Sequence, residues 1–246
     1  MKNRFLLLLQ RMLMLFALYT VCRILFYLFN LSYFSDVNAG NVFRIFFFGL
    51  RFDAVAIVIS NLLFIALHFY PFSHFYSRFY QLFLRILFLL VNSVAVVLNL
   101  IDIEFVRFEG KRATTDAFRV MGFGNDFLNT VPRMILDYWY LLLLLILMVW
   151  LLNKLYSKIA ITGESGKVSR IFSNSRGHLI LAIIISGLTF IGFRGGIQYR
   201  PISIMTASKY ANGKEVSLLL NTPFTVDRKS TRLNSSHTVI SYAVFC

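Results

Sequence analysis

Five long apolar stretches divide this chain: about Phe5–Phe29, Phe43–Phe69, Phe79–Ile101, Met134–Leu152 and Leu179–Phe193. A block that is apolar on every side has no wet face to offer a soluble domain. It suits the bilayer, whose core of about 30 Å takes roughly 20 residues at about 1.5 Å each, and the first block can span with some tilt. Charged residues make up only 15% of the chain and hydrophobic ones 58%, against roughly a quarter charged in an ordinary soluble domain. The expected fold is therefore an all-α membrane protein with five transmembrane helices. Lys2 and Arg4 precede the first block, as in a signal peptide. Its apolar part is too long for one, however, and no small-residue cleavage site follows.

Flanking Lys and Arg set the orientation. Lys2 and Arg4, the connection holding His68, His74 and Arg78, and the connection from Lys154 to Arg176 fall on one side if there are five spans. This puts the N-terminus inside and the C-terminus outside, although the outer link Asp102–Arg133 also carries five basic residues. The net charge of +14 is read as this bias plus attraction to membrane lipids with anionic headgroups. No nucleic-acid partner is expected, because no basic surface on a soluble fold is visible. Cys22 and Cys246 offer neither a disulfide framework nor metal spacing. The polar pieces Asp102–Arg133, Asn153–Gly177 and Arg194–Val226 have 32, 25 and 33 residues, too dispersed for an enzymatic core of their own.

The last 20 residues break with what precedes them. Asp227–His237 and Ile240–Cys246 match two blocks of one reading frame of a common high-throughput sequencing adapter, separated by the adapter's variable index. The expected organisation is a transmembrane domain over 1–193, an extracytoplasmic linker over 194–226 and an adapter-derived tail over 227–246, to be left out of fold reasoning.

Ionisable residues inside membrane helices are costly and mark candidates for function. Arg51 and Asp53 lie in the second block at spacing i, i+2, about 200° apart on a helix, so each either finds a structural partner on another helix, snorkels at the interface or contacts substrate directly. Arg11, Arg23 and Arg85 read as snorkelling or bundle-facing residues rather than ligands. The densest polar run leaves the third block: Asp102-Ile103-Glu104-Phe105-Val106-Arg107-Phe108-Glu109-Gly110-Lys111-Arg112. Asp102 is a further intramembrane polar candidate. The run reads first as a solvated, self-neutralising loop; within it Arg107, Lys111 and Arg112 are the candidates to hold a lipid phosphate, since guanidinium groups fit phosphate oxygens. No catalytic residue and no metal site is assigned, because no Ser-His-Asp order, P-loop or HExxH occurs.

Four stretches together carry a resemblance: Gly49–Asp53, Asn99–Thr114, Phe193–Ile202 and Leu219–Phe224. In order and layout they resemble the membrane half of the lipoteichoic-acid-synthase-like phosphoglycerol transferases, of the alkaline phosphatase and sulfatase superfamily, in the forms of Gram-negative, Bacteroidetes-type bacteria. The resemblance covers nearly all of residues 1–226. It implies a multi-pass protein of the bacterial cytoplasmic (inner) membrane, with five helices followed by a linker and an extracytoplasmic α/β catalytic domain that this sequence lacks. It also implies transfer of a phosphoglycerol-type group from an anionic phospholipid donor through a threonine intermediate, aided by a divalent metal, manganese or magnesium, in that domain. On this reading the chain itself is inactive and binds no cofactor. A phosphoethanolamine transferase or membrane-tethered sulfatase of the same superfamily shares this half. A small transporter or membrane assembly protein is the reading from another class, and no inverted repeat is visible to support a transporter.

Overall fold

A helix satisfies all but its terminal backbone N–H and C=O groups within its own segment, as an apolar stretch in lipid requires. The apolar blocks are accordingly helical in the computed structural model, which describes residues 2–69, 77–114, 136–159 and 175–227. They form α1 (Lys2–Phe29), α2 (Ala39–Ser60), α3 (Leu62–Phe69), α4 (Arg78–Glu109), α5 (Trp139–Lys158) and α6 (Ser175–Arg194). Two short helices follow, α7 (Ile204–Ala207) and α8 (Glu215–Leu219), then a helical turn over 222–227. No strand occurs among the described residues. Lys167, Arg170, Arg119 and residues 228–246 of the adapter-like tail lie outside the described residues.

Three of these helices are long and apolar enough to cross a membrane: Phe5–Phe29, Arg78–Glu109 and Trp139–Lys158. The pair α2–α3 adds a fourth if counted as one span, bent by 65°. α6 covers the fifth apolar block, and its Ile183, Leu188 and Phe190 face outward. The outer surface is apolar along the other helices too, as at Leu13, Phe47, Ile86 and Leu147. An apolar exterior this extensive belongs against lipid.

Contacts between helices show that they alternate in direction. Arg23 of α1 meets Asp53 of α2, while Arg11 lies over Phe64 of α3. Asn30, just after α1, reaches Ile103 of α4, Arg85 of α4 reaches Asn153 of α5, and Val58 of α2 packs beside Gly192 of α6. The C-terminal ends of α1, α4 and α6 thus gather with the N-terminal ends of α2 and α5. We call this end the roof.

The second block is expected as one span, but it bends at Ser60–Asn61. Ser60 Oγ donates to the Ala56 carbonyl at 2.7 Å, and Asn61 Nδ2 donates to Ile57 O at 3.0 Å. Side-chain donors that compete for helix carbonyls bend helices. Asn61 and Asn92 of α4 then exchange amide hydrogen bonds at 3.2 and 2.9 Å. The third block, expected to end at Ile101, continues as helix through Glu109. Its inward face carries Asn92, Asn99 and Asp102 at helical spacing, all buried, and each finds a partner within the bundle. It stops at Gly110, whose φ of 66° is the left-handed conformation that favours glycine.

Residues 194–226, expected as a linker, fold back onto the helices. Ala207, Leu218, Leu219 and Phe224 are fully buried within the core, and the Phe224 ring meets Phe52 edge-on at 5.2 Å. α6 ends in a Schellman turn: Gly196 N–H donates to Ile191 O and Gly195 N–H to Gly192 O. Gly195 sits at φ +77°, and a Cβ there would lie 2.5 Å from Ile202. Glycine is therefore required both by the turn and by the returning chain.

Candidate functional site

The roof is built around two buried arginine–aspartate pairs. Asp53 projects from α2 at a level where α1 presents Arg23, one helix away rather than two residues away. Arg23 Nη1 donates to Asp53 Oδ2 at 2.8 Å and Nη2 to Oδ1 at 2.7 Å. The same guanidinium donates to the carbonyls of Gly49, Leu218 and Leu219. Gly49 makes room for it, since a Cβ there would sit 2.6 Å from Arg23 Cζ. Asp53 also accepts from Asn221 Nδ2 at 2.7 Å, and Asn221 Oδ1 accepts the Phe224 N–H at 2.9 Å. Asn221 thereby acts as N-cap of the final helical turn while adding a neutral donor to the carboxylate.

The second pair joins Asp102, near the end of α4, to Arg112 just beyond it. Arg112 Nη1 donates to Asp102 Oδ2 at 3.1 Å and to Thr222 Oγ1 at 3.2 Å. Its Nε donates to Ser217 O at 2.6 Å, and its Cζ lies 4.1 Å from the centre of the Phe26 ring. Asp102 further accepts the Ala113 N–H at 2.9 Å and the Thr222 hydroxyl. Burial draws the Arg112 pKa below its ordinary value and the Asp102 charge opposes that pull; starting from so basic a group, the guanidinium stays charged. Both arginines thus spend spare N–H groups on the carbonyls of Ser217, Leu218 and Leu219, which a five-residue helix leaves without internal partners. Thr225 closes the arrangement by donating to Ala113 O at 2.8 Å.

Arg51 faces a different partner set from its neighbour Asp53. Its Nε donates to Gly195 O at 2.5 Å, Nη1 to the Tyr210 hydroxyl at 2.8 Å, and Nη2 to Gln198 Oε1. It therefore pins the turn after α6, while Arg23 and Arg112 pin the segment from α8 onward.

The three cations expected at a lipid phosphate have three separate partners. Arg107, partly exposed, pairs with Glu104 at 3.0 Å and donates to Asn30 Oδ1 at 3.1 Å and to Phe29 O at 2.5 Å. Tyr140 donates to the same Glu104 at 2.5 Å. Lys111 is exposed and lies 3.7 Å from Glu109. Arg112 is buried and committed to Asp102. Among the described residues, only Arg107 and Lys111 of the three remain open to the surface.

Chemically, the roof is a clasp. Its acids and arginines are mutually satisfied, and Thr222 has its hydroxyl committed to a carboxylate. Among the described residues, no three His, Cys, Asp or Glu side chains gather to hold a metal ion. Asp53 and Asp102 are each engaged by an arginine. Sequence reasoning did not single out Arg23, Asn99, Asn221 or Thr222 for the roof. The need of a buried carboxylate for a cation points to an arginine without picking Arg23 among them, and the uncharged Asn99, Asn221 and Thr222 carry no such signal. Compared with known families, curated proteins and solved structures, the chain finds no match.

Proposed function

We propose that this chain is the membrane portion of an envelope transferase of the lipoteichoic-acid-synthase-like kind. It would have five spans, with the N-terminus inside and the C-terminus outside. The reaction would move a phosphoglycerol-type group from an anionic phospholipid donor, in an extracytoplasmic domain following the roof. The observation that carries this reading is the convergence of the four stretches behind the resemblance. Gly49–Asp53 supplies Asp53 and Arg51, Asn99–Thr114 supplies Asp102 and Arg112, Phe193–Ile202 supplies Gly195 and Gln198, and Leu219–Phe224 supplies Asn221 and Thr222. These stretches lie far apart in the chain yet meet at the roof, three of them around the two arginine–aspartate pairs and Phe193–Ile202 through Arg51.

Such a clasp suits an enzyme whose catalytic domain must be held at a fixed height over the membrane. Arg107 and Lys111, at the rim, suit the phosphate of a donor lipid. The test is to restore the genomic sequence following Val226 and reconstitute the product in proteoliposomes with phosphatidylglycerol. Release of diacylglycerol with transfer of glycerophosphate supports the reading. A stop codon soon after Val226 in the genome overturns it. Turnover of phosphatidylethanolamine or of a sulfate ester alone would assign the chain to a sister activity instead.

A further inference from the structure

Far from the roof, a groove of about 420 Å³ runs along the seam between α4 and α5. Leu89, Leu145, Ile146, Val149 and Trp150 wall it, with Asn153 toward the C-terminal end of α5. Ile146 and Trp150 are more than half exposed, so the groove opens on the outer, lipid-facing surface.

Its polar end is cationic. Asn153 Oδ1 accepts two N–H groups of Arg85, at 3.1 and 2.6 Å. This amide oxygen orients the guanidinium without neutralising it. Lys154 Nζ lies 4.5 Å from the Trp150 ring centre. The described acids all lie toward the roof, from Asp53 outward, and no ion pair of Arg85 or Lys154 occurs among the described residues. Within the core, Arg11 is only 2% exposed and stacks over Tyr156 at 4.0 Å; its Nε and Nη1 have no hydrogen-bond partner among the described residues. Uncompensated positive charge in a low-dielectric setting attracts an anion strongly.

We propose that this groove binds an anionic phospholipid, with one acyl chain along α5 and the phosphate against Arg85 and Lys154. The lipid would belong to the leaflet on the side of the α1 N-terminus. Charge complementarity selects this occupant: an apolar trough fits any acyl chain, but two cations at its end, neither with an acidic partner among the described residues, favour a headgroup carrying net negative charge. The site is separate from the roof and does not depend on the enzyme reading.

Trp150 is a built-in reporter, since the chain has only two Trp and Trp139→Phe leaves it alone. The experiment places the Trp139→Phe protein in phosphatidylcholine vesicles containing a small fraction of phosphatidylglycerol or phosphatidylcholine brominated in the acyl chains. Quenching of Trp150 should indicate at least about fivefold stronger association of the brominated phosphatidylglycerol, the scale of one basic group acting on an anionic lipid. Arg85→Gln with Lys154→Gln should bring the two lipids level. Equal quenching by both lipids in the Trp139→Phe protein overturns the proposal. So does a preference that survives the double substitution. If the double variant does not reconstitute, Lys154→Gln alone decides, because that side chain is exposed: an undiminished preference overturns the proposal.

Discussion

Arg23 and Asp53 meet fork to fork, with Nη1–Oδ2 at 2.8 Å and Nη2–Oδ1 at 2.7 Å, while the remaining donors of the same guanidinium hold the carbonyls of Leu218 and Leu219. One ion pair therefore joins three parts of the chain: α1, α2 and the segment that returns after α6. Replacing Asp53 by Ala leaves a buried cation without its counter-charge, which typically costs about 3–5 kcal/mol. Thermal or SDS-induced unfolding in micelles should show the loss. Arg23→Met combined with Asp53→Leu removes the unpaired charge but leaves the Leu218 and Leu219 carbonyls and the Asn221 amide without their partners, so it should recover only part of the loss. A single Asp53→Ala variant as stable as the parent would contradict this account.

Gly49 offers a sharper test of the same contact. A methyl group there would meet Arg23 Cζ at 2.6 Å, and the guanidinium has no free direction in which to retreat. Gly49→Ala should cost about 1–3 kcal/mol from overpacking, despite the better helix propensity of Ala. In the Asp53→Ala background the penalty should shrink, because Arg23 is already displaced. Such coupling is what neighbouring sites show and distant ones do not. Strict additivity of the two substitutions would place the strain elsewhere.

Exposure decides the weight of the other ion pairs. Lys111 and Glu109 approach only to 3.7 Å, with side chains 68% and 52% exposed. Solvent screening and side-chain entropy reduce such a pair to about 0–1 kcal/mol. Glu109→Gln should leave the unfolding midpoint close to that of the parent, whereas Asp102→Asn should lower it clearly. Equal shifts from the two changes would mean that burial is not what separates them.

These contrasts also indicate what could be read from the chain beforehand. The apolar blocks become helices because each is long enough to satisfy its own backbone, a property visible in one dimension. The divergence of Arg51 from Asp53 follows from helical angle alone, and the turn at Gly195–Gly196 follows from residue type. Partner identity is another matter. Arg23 and Asp53 are 30 residues apart, and an apolar helix carries no sign of which face a neighbour will cover. Arg112 lies in a stretch rich enough in charge to look solvated, yet Asp102 and the Ser217 carbonyl draw it inside. The bend at Asn61 was hidden by the hydrophobicity around it, because the cause is a pair of small polar side chains that an average over the block absorbs.

Thr222 and Asp102 give the most direct test of whether residues 215–227 are clasped or merely resting on the helices. The Thr222 hydroxyl donates to Asp102, receives from Arg112 and is buried. Thr222→Val keeps the shape but removes both bonds, leaving a buried carboxylate and guanidinium each short of a partner. Loss of a hydrogen bond to a charged group costs about 1.5–3 kcal/mol. Because the Leu220 N–H donates to Val216 within this segment, its hydrogen exchange reports local release. In the Thr222→Val protein the amides of residues 216–222, 224 and 225 should exchange at least about tenfold faster, about 1.4 kcal/mol by the usual conversion. Exchange at Asn61 and Asn92, outside the roof, should stay unchanged. Acceleration spread evenly over both regions would point instead to global loosening, and no acceleration at all would mean that Arg23 and Asn221 hold the segment without help from Asp102.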